Sequence, residues 1–200
     1  MAAAPLAAPR VAPAPRPPRV RGYRPGLTLA HLRHDLDGLP CEAAKDPPAG
    51  LRLHAHGLDI AVRERVEPHF LMHLVQCEFM LDLDAPTSAA AGARIDVRHT
   101  GWLRRTGLAY GSHGLPAASP LPQALRQDSE LAAHLMPLDF VGLALHARPG
   151  GWQVRLTHIG ASEVVSRLPA MRRYVRLAAA QRAALLGALA RIAAVVRQTP

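Results

Sequence analysis

WQVRLTHIGASEVVSRLPAMRRYVRL, residues 152–177, is the stretch on which the reading of this chain turns. Trp152, Val154 and Leu156 alternate with Gln153, Arg155 and Thr157, the period of a strand with one dry face. The pattern stops at Gly160. Gly160-Ala161-Ser162-Glu163 then predicts a turn into a short helix capped by Ser162, whose N-terminal dipole would favour an acid or a bound anion. Pro169 biases Leu168 away from helix and is placed to open the next one. Downstream, Leu185, Leu189, Ile192 and Val196 have helical spacing, so a long helix over 178–197 is expected to pack across a sheet. Arg182 falls on that apolar line, so either the helix breaks near 177 or Arg182 reaches a buried acid. Gly187 weakens this helix or admits a close neighbour.

Working outward, Leu138–Ala147 and Trp152–Ile159 form a hairpin around Arg148-Pro149-Gly150-Gly151. Leu51–His56 and Leu58–Val66 form another, turning at Gly57. Phe70–Leu83 is apolar on both faces over its first half, the mark of a central strand or a cavity wall. His73 and Cys77 lie on its inward row, as a core histidine bonded to backbone and a packed thiol. Ile95 and Val97 begin a further strand. Helices are expected over 27–36, capped by Thr28, and over 119–136 in one or two pieces, capped by Ser119 or Asp128. The fold class is therefore α+β: a curved, mostly antiparallel sheet of about six strands covered by a long C-terminal helix and shorter helices, in the manner of helix-grip folds.

Residues 1–25 hold seven Pro and five Arg with no apolar period, so a disordered tail is expected ahead of one α+β domain over 26–200. The net charge of +9 suggests a nucleic-acid binder until it is divided. Residues 1–25 contribute +5, residues 26–159 contribute 12 − 14 = −2, and residues 160–200 contribute 7 − 1 = +6. The middle of the chain is nearly neutral and Lys45 is its only lysine, so nucleic acid is not the expected partner. Cys41 and Cys77 are too few for a disulfide framework. No signal peptide is read at the N-terminus, and Gln181, Arg182 and Arg191 interrupt the longest apolar run, so no transmembrane segment is expected. These features together predict a cytoplasmic bacterial protein.

Two basic clusters are the candidate ligand-binding groups. Arg98, His99, Arg104 and Arg105 surround Gly101 and Gly107, where Arg forks and backbone N–H groups can meet an anion. If Arg98 and His99 end a strand neighbouring the last one, they converge with His158, Ser162, Glu163, Arg167, Arg172, Arg173 and Tyr174. The competing reading is an ion-pair network in which Glu163 neutralises Arg groups and holds loops together. The His31/His34 and His54/His56 pairs lack a third ligand and read as solvated, so no metal and no cofactor are predicted.

RHTGWLRRTG at 98–107, MPLDF at 136–140 and THIGASEVVSRLPAMRRYVRL at 157–177 resemble a proteobacterial family called domain of unknown function 3156. The resemblance covers roughly 27–197 and implies no activity, fold or ligand. Three functions are therefore carried forward. The first is a binding module for a small anionic or amphipathic ligand, held by an apolar cavity with Arg groups at its mouth. The second is an enzyme on an anionic substrate, with Glu163 or His99 moving a proton. The third is a protein or membrane-surface adaptor using the basic termini. The sequence leaves the oligomeric state open.

Overall fold

The computed structural model describes residues 22–44, 50–85, 89, 92–101 and 104–199. In chain order the elements are α1 (Leu27–Asp35), β1 (Cys41–Ala43), β2 (Gly50–Ala55), β3 (Leu58–Pro68), β4 (Met72–Asp84), β5 (Arg94–Thr100), β6 (Gly107–His113), α2 (Leu121–Gln127), α3 (Ser129–Leu135), β7 (Phe140–Arg148), β8 (Gly151–Arg167), β9 (Ala170–Val175) and α4 (Ala179–Gln198). The α+β class holds, with every strand pair antiparallel. The described residues form nine strands rather than about six, ordered β1-β2-β3-β4-β8-β7-β5-β6, with β9 paired to β8. The three extra strands are short edge elements or, in β9, a stretch whose proline resembled a helix start.

Alternation explains the central strands. His73, Val75, Cys77, Phe79, Leu81 and Leu83 of β4 are all buried in a row, as the period of two requires. One hydrophobic cluster joins Cys77, Phe79, Leu81 and Leu83 to Leu53, Ile60, Leu143, Leu145, Val154 and Leu156 from neighbouring strands and to Leu29 and Leu32 of α1. The β2–β3 hairpin turns through His56 and Gly57, both at positive φ, which suits the right-handed twist of the flanking strands. By length and composition α4 could also cross a membrane. Here Leu185, Leu189, Ile192 and Val196 are buried in the shared core, which accounts for its apolarity.

The largest departure from the sequence reading lies in residues 152–177. No helix starts at Ser162: β8 runs unbroken from Gly151 to Arg167. Its pairing with β4 slips, because Thr157 faces Glu78 while Ser162 faces Gln76, leaving residues 158–161 opposite Cys77 alone. This bulge bends β8 and exchanges its outer neighbour, since the segment before it pairs with β7 and the segment after it with β9. Ser162 Oγ donates to the Ile159 carbonyl at 2.5 Å, so the hydroxyl closes the bulge instead of capping a helix. Pro169 follows a cis peptide bond in the β8–β9 turn and opens no helix.

Three carboxylates fasten α1 to the sheet, and this also corrects the expectation that Thr28 caps it. The cap comes from β3: Glu64 accepts from the backbone N–H groups of Gly26, Thr28 and Leu29 at 2.9, 3.0 and 3.2 Å. Such donors are unpaired at any helix start and favour a negative charge. Thr28 instead reaches across to Glu163 of β8. At the other end Asp35 binds the segment leading into α4. Asp128 does cap α3, accepting from Leu131 N at 2.7 Å. Arg191 of α4 donates to the same carboxylate and holds it below the usual range.

Arg182 resolves its own ambiguity. The helix begins only at Ala179, and Arg182 donates to the carbonyls of Asp35 and Asp37 at the end of α1, at 2.6 and 3.3 Å, rather than to an acid. Gly187 admits a close neighbour, since a Cβ there would lie 2.5 Å from the His134 ring. Of the expected tail, residues 1–21 lie outside the described residues. Gly22 and Tyr23 are attached to the domain, through Arg172 and through Glu64.

Candidate functional site

The structure divides the predicted site residues among separate places. Glu163, Arg172 and Tyr174 come together where β8 and β9 meet α1. Glu163 is 2% exposed, and Arg172 places one guanidinium nitrogen 2.9 Å from both of its oxygens. Thr28 donates its hydroxyl to the same carboxylate at 3.3 Å. Arg172 also donates to the Gly22 carbonyl, clamping the entering chain. Tyr174 donates to Asp35 at 2.9 Å and stacks on His31 with ring centroids 4.8 Å apart. Burial and the bond to Asp35 push the Tyr174 phenol well up, so it remains a donor. Each group in this cluster has a partner that holds the fold together.

His158, His99 and Arg105 occupy a second region between β5, β7 and α4. His158 is buried, with one ring nitrogen 2.8 Å from Gln181 Oε1 and the other 3.2 Å from the Gly160 carbonyl. Gln181 also accepts from Asp139 N and donates to the Pro137 carbonyl, so one amide ties α4 to the start of β7. His99 bonds the Leu135 carbonyl at 2.9 Å and packs on Phe140, whose register partner is His158. Arg105 donates to the Met136 and Leu138 carbonyls and to Asp139. These groups contact one another in series, but they engage different elements from those holding Glu163.

Arg98, Arg104, Arg167 and Arg173 remain exposed, without an ion pair among the described residues. Arg98 lines a hollow of about 430 Å³ with Asp96, Tyr110 and His113 on the β5–β6 hairpin. Arg167 ends β8, paired with Ala170, and Arg173 lies on β9, paired with Val164. Neither histidine pair acquires a third ligand, and no cluster of three metal-ligating side chains occurs among the described residues. His54 instead lies 3.8 Å from Asp59. Cys77 is fully buried, and burial pushes its thiol up, which suits a packed thiol and not a nucleophile.

Two features escaped the sequence reading. His73 is a core histidine, 1% exposed, yet neither ring nitrogen has a hydrogen-bond partner among the described residues, contrary to the expected backbone bond. Burial lowers its pKa, and Arg172 and Arg167 lower it further. The unfolded chain therefore binds a proton that the folded one resists, so stability falls as pH drops below about 6.5. His73→Leu removes both unpartnered nitrogens and is expected to raise stability by about 1–3 kcal/mol. In urea titrations the gap between variant and native protein should be wider at pH 5 than at pH 8; an equal gap would show that His73 does not drive the acid limb.

The second feature is apolar and exposed. The β3–β4 and β8–β9 turns lie side by side, because Met72 pairs with Ser166, Ser166 pairs with Met171, and Arg167 N donates to the Leu71 carbonyl at 2.9 Å. Phe70 is 92% exposed and Leu168 74%, and Leu71, Met72 and Met171 beside them are exposed as well. Exposed apolar side chains so closely grouped mark interaction sites more often than isolated ones do. The sequence signal was present in FLM at 70–72 and LPAM at 168–171, but only strand pairing brings the two together.

Fold and site thus define a single-sheet α+β domain whose buried carboxylates are paired and whose β8–β9 hairpin carries two exposed arginines, Arg167 and Arg173, together with an exposed apolar turn. The chain belongs to the protein family of unknown function DUF3156, whose model matches residues 34–196. That span includes Asp35, Glu64, Glu163, Arg172 and both apolar turns. No curated protein and no solved structure matches the chain.

Proposed function

We propose that this protein is a binding module that holds an anionic amphiphile at the paired β3–β4 and β8–β9 turns. One observation carries the reading: Phe70 and Leu168 are exposed at the paired turns, and the β8–β9 hairpin that carries Leu168 also carries Arg167 and Arg173, neither of which meets a carboxylate among the described residues. An apolar body with a negative head would satisfy both kinds of group. The arrangement of antiparallel sheet and C-terminal helix supports a helix-grip comparison. The ligand, however, moves from the interior to the exterior end, because Phe79, Leu156, Leu189 and Ile192 belong to one buried cluster between sheet and helix.

Binding is favoured over catalysis by the engagement of the groups that could move protons. Glu163 is held by Arg172 and Thr28, and His99 by the Leu135 carbonyl. Calorimetric titration with lysophosphatidate below its micelle concentration tests the reading. Phe70→Ser with Leu168→Ser should abolish the binding heat while leaving the melting transition in place. Unchanged heat in that double variant would remove the turns from the binding site.

A further inference from the structure

We infer that the partner at the two apolar turns is an anionic lipid bilayer; the inference rests on the binding reading above and names its partner. Five apolar side chains on two narrow turns form a small wedge: Phe70, Leu71 and Met72 on one, Leu168 and Met171 on the other. A stable protein interface generally uses about 20–30 residues from each side. Two adjacent hairpin tips offer far fewer, whereas insertion into the headgroup boundary needs only apolar depth and a charged rim.

The rim is positive. Residues 65–73 and 166–176 contain Arg65, Arg167, Arg172, Arg173 and Arg176 against Glu67 alone. Glu67 lies 3.1 Å from Arg65, Arg172 is committed to Glu163 and Arg176 pairs with Asp35, which leaves Arg167 and Arg173 for lipid phosphates. The chain also enters the fold at this place. Arg172 binds the Gly22 carbonyl, and a Cβ on Gly22 would lie 3.7 Å from Val165 and 3.9 Å from the His73 ring. The 21 residues ahead of Gly22 carry Arg10, Arg16, Arg19 and Arg21 and no acid. Gly22, which follows them in the chain, is held at the end that bears the wedge. Apolar insertion and basic attraction are each weak alone, and their combination is what holds a peripheral protein at a membrane.

The test is co-sedimentation of the full chain with phosphatidylcholine vesicles, with and without phosphatidylserine, at low and high salt. The protein should sediment with the phosphatidylserine vesicles only, and high salt should release it. Phe70→Ser with Leu168→Ser should weaken partitioning about 100-fold, and Arg167→Ala with Arg173→Ala about thirtyfold. Binding to both vesicle types alike, or undiminished binding by the folded Phe70/Leu168 variant, would overturn the proposal. A concentration-dependent dimer lost in that variant, without vesicle binding, would assign the wedge to a second copy instead. If monomeric lysophosphatidate binds while vesicles do not, the bilayer falls and the binding module stands. If neither binds, both fall.

Discussion

Arg172→Ala is expected to lower the unfolding free energy by about 3–5 kcal/mol, seen as a drop in the urea midpoint at unchanged slope. The size follows from what the substitution leaves behind. The Glu163 side chain is 2% exposed, and the arginine that meets both its oxygens at 2.9 Å is its only cationic partner among the described residues. Without it the carboxylate keeps one hydroxyl bond, from Thr28 at 3.3 Å, and remains buried with its charge uncompensated. Arg172→Lys should recover only part of the loss, since one ammonium cannot also reach the Gly22 carbonyl in the geometry of the guanidinium fork.

A paired substitution separates the cost of an orphaned charge from the worth of the ion pair. Glu163→Leu combined with Arg172→Leu removes both charges, and stability should return to within about 1–2 kcal/mol of the native protein. The comparison also decides between structure and chemistry at Glu163. A carboxylate held free for a ligand would tolerate loss of Arg172, so a cost of under about 1 kcal/mol for Arg172→Ala would return Glu163 to the list of functional groups.

That list was drawn from a stretch whose periodicity misled for a definable reason. Before the bulge, β8 sends Trp152, Val154 and Leu156 into the core; after it, the buried inward residues are Ala161, Glu163 and Val165. The inward row passes from even to odd positions across residues 158–161. In sequence, a phase change marked by Gly160 is indistinguishable from the end of a strand. Ala161 adopts a φ of 60°, a conformation that alanine rarely takes, so no local preference announces the bulge. Pro169 then imitates a helix start, so the sequence predicts a helix where β9 lies. By contrast β2, β3, the inward row of β4 from His73 to Leu83, the β7–β8 hairpin and α4 are legible from their hydrophobic periods, although Leu71, expected in that row, lies before β4 and is exposed.

The ion-pair reading of the Arg-rich junction was legible in kind but not in detail. Glu163 and Arg172 are nine residues apart on paired strands, close enough to associate from sequence. Asp35 and Leu177 are 142 residues apart, and Glu64 lies 38 residues from the Gly26 N–H that it accepts from. No period links such partners. They become neighbours only because the sheet sets β3, β4, β8 and β9 side by side beneath α1. The wedge at the hairpin tips is hidden in sequence for the same reason, since turn residues are expected to be exposed and only their adjacency makes them unusual.

Asp35→Ala should be the second most damaging change, at about 2–4 kcal/mol. Asp35 ends α1, where the helix dipole disfavours a carboxylate, so its presence there requires stronger compensation. Three donors supply it: Leu177 N at 2.8 Å, the Tyr174 hydroxyl at 2.9 Å and Arg176 Nε at 3.2 Å. Arg176 is 81% exposed, so its ion pair contributes little. The other two dominate, because alanine leaves the buried Leu177 amide and the Tyr174 hydroxyl without an acceptor at the entrance to α4. Asp35→Asn retains one carbonyl oxygen that can accept from both, and its cost should be about half as large. Native-state hydrogen exchange provides the local readout: the Leu177 amide should lose its protection in Asp35→Ala and keep most of it in Asp35→Asn. Equal protection in the two variants would mean that this amide is shielded by packing of β9 against α4 and not by the aspartate.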